Sequence, residues 1–168
     1  MKKVSLILSI LFTTTIFSQS LLDSLVLVNI NNYRSKKNLQ KLEFSSVAYK
    51  AAEHHNIYLN DNPDQPIAHY EDNETPNHWH RLTKYNDRND GNFWRSAENL
   101  WGAMPMKIDL NEETKLLKEL AEEAVKDWIK SPGHKKNLLV AQLDKAAIHS
   151  IVTEDNRLIV TYVAYRYY

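Results

Sequence analysis

The sequence predicts an α+β fold in which helices come first and an antiparallel pair of strands comes last. Apolar residues recur at helical spacing in three segments before Ser131. The period then changes, because the runs at 146–152 and 158–167 are rich in β-branched and aromatic residues. The polar Glu154-Asp155-Asn156 between these runs is typical of a hairpin turn. This order indicates helices packed on a small antiparallel sheet.

The three helical segments lie between residues that commonly begin or end helices. They cover residues 22–34, 47–62 and 112–130. Ser45-Ser46 offers an N-cap to the second helix, and Asn111 caps the third, which Ser131-Pro132-Gly133 ends. Residues 61–92 are rich in Asn, Asp, Pro and His, with one short helical candidate at 77–85. A loop region of this length in a compact domain usually either carries function or is poorly ordered.

An export signal is predicted at the start of the chain. Lys2 and Lys3 supply positive charge, residues 4–17 are mostly apolar, and Ser18 is small enough for cleavage. A membrane anchor is the alternative, but it needs roughly 20 apolar residues, and three threonines interrupt this stretch. We therefore expect a signal peptide cleaved near Ser18–Gln19 and one secreted or periplasmic domain. The two units are residues 1–18 and 19–168.

Charge and cysteine content narrow the class of protein further. The chain has 21 basic and 21 acidic residues, and loss of two lysines with the signal leaves a net charge of about −2. This balance gives no electrostatic footprint for nucleic acid, and no later segment is apolar enough for stable membrane insertion. The absence of cysteine excludes disulfides and favours a bacterial exported protein.

Three short segments combine His or Glu with turn residues, and they contain His69, Glu98 and His134. Taken singly, each residue has an ordinary explanation. His69 fits an exposed loop histidine, and Glu98 fits a buried carboxylate that accepts backbone N–H bonds. His134 fits the neighbour of a helix N-cap, because the segment before it can end one helix and start another.

The order of these segments along the chain, and the motifs that accompany them, resemble those of the CAP/SCP family, in its bacterial exported branch. Residues 31–34 (NNYR) resemble the N-x-x-R opening of CAP domains, and the alanines at 48, 51 and 52 resemble the alanine-rich second helix. Residues 97–100 (AENL) resemble the G-E-N-hydrophobic motif. Residues 128–137 (WIKSPGHKKN) resemble the W-x-x-S-P-G-H-x-x-N signature, which is the most specific of the four.

This resemblance implies a three-layer α/β/α sandwich with a small, mainly antiparallel sheet and a central cleft. The cleft histidines would be His69 and His134, and the first cleft glutamate would be Glu98. In eukaryotic members a second glutamate follows the motif tryptophan by three positions, where this chain has Ser131. Ala97 replaces the usual glycine, which suggests a backbone that does not need one. The incomplete set of carboxylates favours binding over catalysis.

Two neutral imidazoles across a cleft can share Zn²⁺ or another divalent ion, with His69 and His134 as the ligands. Glu98 would be either a third ligand or the acceptor that fixes a histidine tautomer. Two protein ligands make a weak site, and protonation of histidine releases the ion. Ser131 would line the same cleft, which could instead hold a small molecule, a lipid or a cell-surface ligand.

Two other functions stay open at this level. A metal-assisted hydrolase at the cell surface would use Glu98 as the base that activates water. It is less favoured, because the chain has neither an H-E-x-x-H motif nor a nucleophile paired with a base. A structural envelope or adhesion protein is the third reading, and only the export signal favours it.

The remaining histidines receive structural interpretations. His54 and His55 are adjacent in a helix and face different ways, so they cannot chelate together. Around Trp79, an exposed histidine-rich patch is possible, but a helix with Trp79 and Leu82 turned inward is favoured. His149 stands where the family commonly has glycine, and we expect it on a strand face and not as a ligand.

Overall fold

The computed structural model describes residues 20–71, 77–86, 93–103 and 113–168. The predicted signal peptide and its cleavage site, and the predicted cap at Asn111, lie outside these residues. The elements in chain order are α1 (Leu21–Ser35), β1 (Glu43–Phe44), α2 (Ser46–Asp61), α3 (His78–Tyr85), β2 (Phe93–Ala103), α4 (Glu113–Lys130), α5 (Pro132–Leu138), β3 (Lys145–Val152) and β4 (Leu158–Tyr167).

The four strands form one mixed sheet in the order β1-β3-β4-β2. β4 pairs antiparallel with β2 and β3, and the short β1 pairs parallel with β3. The predicted hairpin is confirmed: β3 and β4 meet at a turn in which Asn156 has a φ of 62°. Asparagine tolerates this left-handed conformation better than most residues. The mainly antiparallel character of the sheet therefore agrees with the sequence prediction.

Helices cover both faces of this sheet, so the predicted three-layer α/β/α sandwich is confirmed. On one face α1 and α4 bury an apolar core that includes Val26, Trp128 and Val160. On the other face α2 and α3 pack through Ala52 and Leu82. β4 is buried on both faces, and its alternate side chains enter the two cores. The alanines of α2 are fully buried, and their small side chains allow this helix close to the sheet.

The N-x-x-R segment at the end of α1 joins distant parts of the chain. Arg34 is fully buried, and its guanidinium donates to four backbone carbonyls, at 2.8–3.3 Å. The acceptors are Gln40, Leu138, Val140 and Leu143. Burial lowers the pKa of Arg34, but its hydrogen bonds replace the water it loses. Arg34 thus ties α1 to the end of α5, the helix that contains His134.

Two strands were not predicted as strands, and both omissions have a physical reason. β1 has two residues and lies in the segment interpreted as a linker. β2 carries the buried polar residues Glu98 and Asn99 in its middle, which hides the alternation that identifies a strand. Ala97 lies in this extended strand, where glycine is not needed. Within the described residues, no helix combines the length and the apolar character required to cross a bilayer.

Candidate functional site

The three residues singled out in the sequence come together beside the middle of β2. His69 lies in the loop after α2, Glu98 in the middle of β2, and His134 in the first turn of α5. Nδ1 of His69 is 2.9 Å from Oε1 of Glu98, and the ring centroids of His69 and His134 are 6.3 Å apart. Glu98 is only 2% exposed, whereas the His69 side chain is 40% exposed. The Glu98 carboxylate therefore forms the buried floor of a cleft, and the imidazole rings of His69 and His134 form its more open walls.

The W-x-x-S-P-G-H-x-x-N segment holds His134 in place by covering the outer edge of β2. The Trp128 indole N–H donates to the carbonyl of Leu100 (2.9 Å). Nδ2 of Asn137 donates to the carbonyl of Glu98 (2.9 Å) and to Oδ1 of Asn99. β2 ends the sheet on this side, so these side chains satisfy carbonyls that no neighbouring strand reaches.

Asn99 completes the connection, because its Nδ2 donates to the backbone carbonyl of His134 (3.1 Å). Asn99 is fully buried, and its amide and that of Asn137 together join β2 to α5. The motif residues around His134 are therefore structural supports. They set the distance between the helix that carries His134 and the strand that carries Glu98.

Ser131 lies at the junction of α4 and α5 and is half-buried. Its N–H donates to the carbonyl of Asp127 (3.1 Å), and its carbonyl accepts from Lys135 (2.8 Å). Its hydroxyl makes no capping hydrogen bond to α5. The backbone of Ser131 therefore links the end of α4 to the start of α5, as the sequence predicted, while its place in the lining of the cleft stays a prediction.

A buried ion network that the sequence did not predict lies behind Glu98. Arg81 of α3 is 1% exposed; its Nη1 donates to Oε1 of Glu71 (2.9 Å), and its Nη2 donates to Oε2 of Glu98. Nδ1 of His55 is 2.9 Å from Oε1 of Glu71, and its Nε2 is 2.8 Å from the carbonyl of Ala68. The chain of contacts runs from His55 through Glu71, Arg81 and Glu98 to His69.

The charges of this network determine which groups of the cleft are ionised. Burial raises the pKa of Glu98, but the hydrogen bond from His69 and the charge of Arg81 outweigh burial and hold this pKa at about 2. Burial and the neighbouring His69 lower the pKa of His134. At neutral pH, Glu98 is therefore a carboxylate and His134 a neutral imidazole. An ionised carboxylate can only accept hydrogen bonds, so Nδ1 of His69 is the donor in its contact with Glu98.

Two interpretations of the other histidine segments need correction. His54 and His55 do not point apart: Nε2 of His54 lies 3.6 Å from Oε2 of Glu71, the carboxylate that His55 also contacts. Leu82 is fully buried as predicted, but Trp79 is 37% exposed. The Trp79 ring packs edge-on against Phe93 at 5.6 Å, because α3 covers only the margin of the sheet.

His149 lies on the α2 face of β3. Its Nδ1 accepts a hydrogen bond from Nδ2 of Asn56 (2.9 Å), and its ring packs edge-on against Tyr49. Burial lowers the pKa of His149 to about 4, so the ring is neutral at physiological pH. This histidine belongs to the packing between α2 and the sheet and not to the cleft.

A metal in the cleft would have few protein ligands. Among the described residues, no group of three or more His, Cys, Asp or Glu side chains is arranged to hold a metal ion. Glu98 is already engaged by His69 and Arg81. The donors that remain are the imidazole nitrogens of His69 and His134, which suit Zn²⁺ and Cu²⁺ better than Mg²⁺ or Ca²⁺.

The α/β/α sandwich and the paired cleft histidines define the class of the protein as a CAP-type domain. The sequence model of CAP, the cysteine-rich secretory protein family, matches residues 27–165. The chain belongs to this family, although it contains no cysteine. No curated protein matches the chain at a significant level.

Solved structures share this fold. An outer surface protein from Borrelia burgdorferi is 27% identical, with a TM-score of 0.65 over 86% of this chain and 92% of that one. An extracellular protein containing an SCP domain from Bacillus anthracis is 20% identical, with a TM-score of 0.56 over 86% of this chain and 40% of that one. The CAP domain of enterococcal PrgA is 17% identical, with a TM-score of 0.55 over 86% of this chain and 60% of that one. The last two show the fold alone.

Proposed function

We propose that this protein is an exported binding protein whose cleft takes up a divalent transition-metal ion, such as Zn²⁺, between His69 and His134. The observation that carries this proposal is the pair of imidazole rings, 6.3 Å apart, with Nδ1 of His69 against the buried Glu98 carboxylate. A carboxylate on one ring nitrogen fixes the tautomer and raises the basicity of the other nitrogen, as in many metal sites.

The spacing of the two rings is compatible with a shared ion. With metal–nitrogen bonds of about 2.0–2.1 Å, two imidazoles on one tetrahedral ion have ring centroids roughly 5 Å apart. The observed 6.3 Å is wider by about 1 Å, which rotation of two partly exposed side chains can close. Water fills the remaining positions of such a site, so binding is weak and reversible.

Export is the second part of the proposal. The start of the sequence has the charge and apolar pattern of a signal peptide over residues 1–18. The relative from Borrelia burgdorferi, which is 27% identical, is an outer surface protein. Both observations support a location outside the cytoplasm, at the cell surface, in the periplasm or in the medium. Fractionation of cells that produce the full chain tests this location.

Calorimetric titration of the purified protein with Zn²⁺ tests the metal site. We expect the double variant His69→Ala/His134→Ala to lose measurable binding, because no third His, Cys, Asp or Glu among the described residues is arranged to join this pair. His80→Ala is the matched control, since this histidine is exposed on α3 and its Nδ1 lies 3.3 Å from Oδ1 of Asn77. Binding by the wild type should weaken on acidification, because a protonated imidazole cannot bind a metal ion. Equal affinities of the double variant and the wild type would refute the shared site.

Metal-assisted hydrolysis remains a less favoured alternative. Both oxygens of Glu98 are engaged, and its pKa of about 2 makes it a poor proton acceptor near neutral pH. A survey of peptide and ester substrates with added Zn²⁺ tests this activity. Turnover that is lost in Glu98→Gln would favour the hydrolase, whereas turnover that persists would exclude Glu98 as the base.

An apolar cavity away from the cleft is the better place for a lipid. It has a volume of about 280 Å³ and lies between the start of α1, α4 and the β3–β4 hairpin. Its walls include Leu22, Leu117, Leu120 and Leu158. This volume is close to the lower end of the range for small-molecule pockets. Displacement of a fluorescent fatty acid, compared between the wild type and a cavity-filling Leu117→Trp variant, tests this candidate.

If the double histidine variant and Leu117→Trp change neither binding nor turnover but lower the melting temperature, a structural role in the envelope is favoured.

A further inference from the structure

Arg81 is the one cation of the described network that contacts Glu98, and neither the family motifs nor the metal proposal gives it a role. It enters from α3, and its two terminal nitrogens bind two different carboxylates. Nη1 contacts Glu71, which follows His69 by two residues, and Nη2 contacts Glu98, which binds His69. One guanidinium thus holds both the strand and the loop that build this side of the cleft.

The network behind the cleft joins two carboxylates to one guanidinium. Glu71 and Glu98 supply two negative charges, and Arg81 supplies one positive charge. His55 contacts Glu71 from another side: its Nδ1 lies 2.9 Å from Oε1 of Glu71, and its Nε2 lies 2.8 Å from the carbonyl of Ala68. Arg81 is therefore held between Glu71, which His55 also contacts, and Glu98, which contacts His69.

The shape of the guanidinium is essential to this arrangement. Its donors lie in one rigid plane, so two carboxylates that bind Nη1 and Nη2 are held at a set angle and distance. A lysine ammonium is a compact charge on a flexible stem, and it cannot hold both carboxylates in this geometry. An Arg81→Lys variant therefore keeps the charge and removes the orientation.

We propose that Arg81 is a positioning residue of the cleft: it orients the Glu98 carboxylate toward Nδ1 of His69, so that the neutral ring carries its proton on Nδ1 and presents Nε2 to the cleft. Arg81 acts on His69 through the two carboxylates that it binds, Glu98 and Glu71. The effect on the His69 tautomer requires no metal. The further effect on metal affinity rests on the proposed function, in which Nε2 of His69 is a ligand.

The test compares the wild type, Arg81→Lys and the control Arg95→Lys. Arg95 is an exposed arginine of the same strand as Glu98. In metal-free protein with ¹⁵N-labelled histidine, the NMR shifts of the ring nitrogens report which nitrogen of His69 carries the proton. We expect the Nδ1–H tautomer in the wild type and the control. In Arg81→Lys we expect a mixture of tautomers and, by calorimetry, Zn²⁺ affinity lower by roughly 10- to 100-fold.

An unchanged His69 tautomer in folded Arg81→Lys would overturn the positioning role. If that variant does not fold, Glu71→Gln provides the second test, because it removes one charged anchor of Arg81 and keeps the side-chain shape. A tautomer shift in Glu71→Gln supports the role, and no shift contradicts it. If the wild type binds no Zn²⁺ but the tautomer shifts, the positioning role stands and the metal proposal fails. If Zn²⁺ binds equally well to every variant and the tautomer is unchanged, the metal proposal stands and the positioning role fails.

Discussion

Asp23 should make the protein less stable as the pH rises through the mildly acidic range. This carboxyl lies in the first turn of α1, is 1% exposed, and accepts hydrogen bonds from the Ser20 N–H (3.2 Å) and the Ser150 hydroxyl (2.6 Å). Burial raises its pKa from 3.8 to about 6, although these hydrogen bonds oppose the rise. The neutral carboxylic acid is therefore the form that the folded protein prefers.

The sign and size of this effect follow from the two pKa values. A raised pKa means that Asp23 holds its proton more tightly in the folded state than in the unfolded state. The contribution of this proton to the free energy of unfolding is therefore full below pH 3.8 and is lost as the pH rises through about 6. At about 1.4 kcal/mol per pH unit, the total loss is about 3 kcal/mol, of which about 2.5 kcal/mol falls between pH 4 and pH 7.

The titration of His149 has the opposite effect to that of Asp23 on the free energy of unfolding in the same range of pH. Burial lowers its pKa from 6.5 to about 4, so the folded state rejects a proton that the unfolded state takes up as the pH falls. Stability is then lost on acidification between pH 6.5 and pH 4, by about 3 kcal/mol. The two contributions nearly cancel between pH 4 and pH 7, so each becomes visible only in a variant that removes the other group.

Urea unfolding, followed by tryptophan fluorescence at intervals of half a pH unit, separates the two groups. Asp23→Asn removes the first titration, so its free energy of unfolding should gain about 2.5 kcal/mol relative to the wild type between pH 4 and pH 7. His149→Asn removes the second titration, so its free energy of unfolding should lose about 3 kcal/mol relative to the wild type over the same range. Asp64→Asn, at an exposed position, is the control with a wild-type profile. If Asp23→Asn parallels the wild type within about 0.5 kcal/mol, the argument from burial is wrong.

Three further substitutions test the packing around the cleft by the same urea assay. Arg34→Met should cost about 2–4 kcal/mol, because it leaves buried carbonyls without donors. Asn137→Ala should cost about 1–3 kcal/mol by leaving the Glu98 carbonyl unpaired, and should also weaken Zn²⁺ binding in calorimetry. Tyr162→Phe should be neutral or stabilising by up to about 1 kcal/mol, because its buried hydroxyl has no hydrogen-bond partner among the described residues.

Local patterns in the sequence were sufficient for most of the helices and for the hairpin. Each of these elements buries one face, and its apolar spacing records that face along a continuous stretch of chain. α1, α2 and the β3–β4 pair therefore lie close to where periodicity puts them. β2 was not found this way, because its central residues Glu98 and Asn99 are buried by pairing with polar partners and not by apolar contact.

The convergence of His69, Glu98 and His134 was anticipated from family motifs, whose order along the chain implies a common site. No comparable signal in the sequence pointed to Arg81 and Glu71. Arg81 is a charged residue next to the apolar Leu82 in the predicted short helix, which indicates that the inward face of this helix is not wholly apolar. No spacing rule, however, identifies the partners of Arg81.

The sequence by itself determined the class of fold, the absence of disulfides and the residue types available to the cleft. These are properties of composition and of short segments. Only the tertiary structure decided that Glu98 contacts His69, that Arg81 joins Glu98 to Glu71, and which nitrogen of His69 faces the Glu98 carboxylate. The physical reason is that an ion network depends on distances and burial that three separate elements create together, and a linear pattern does not record either quantity.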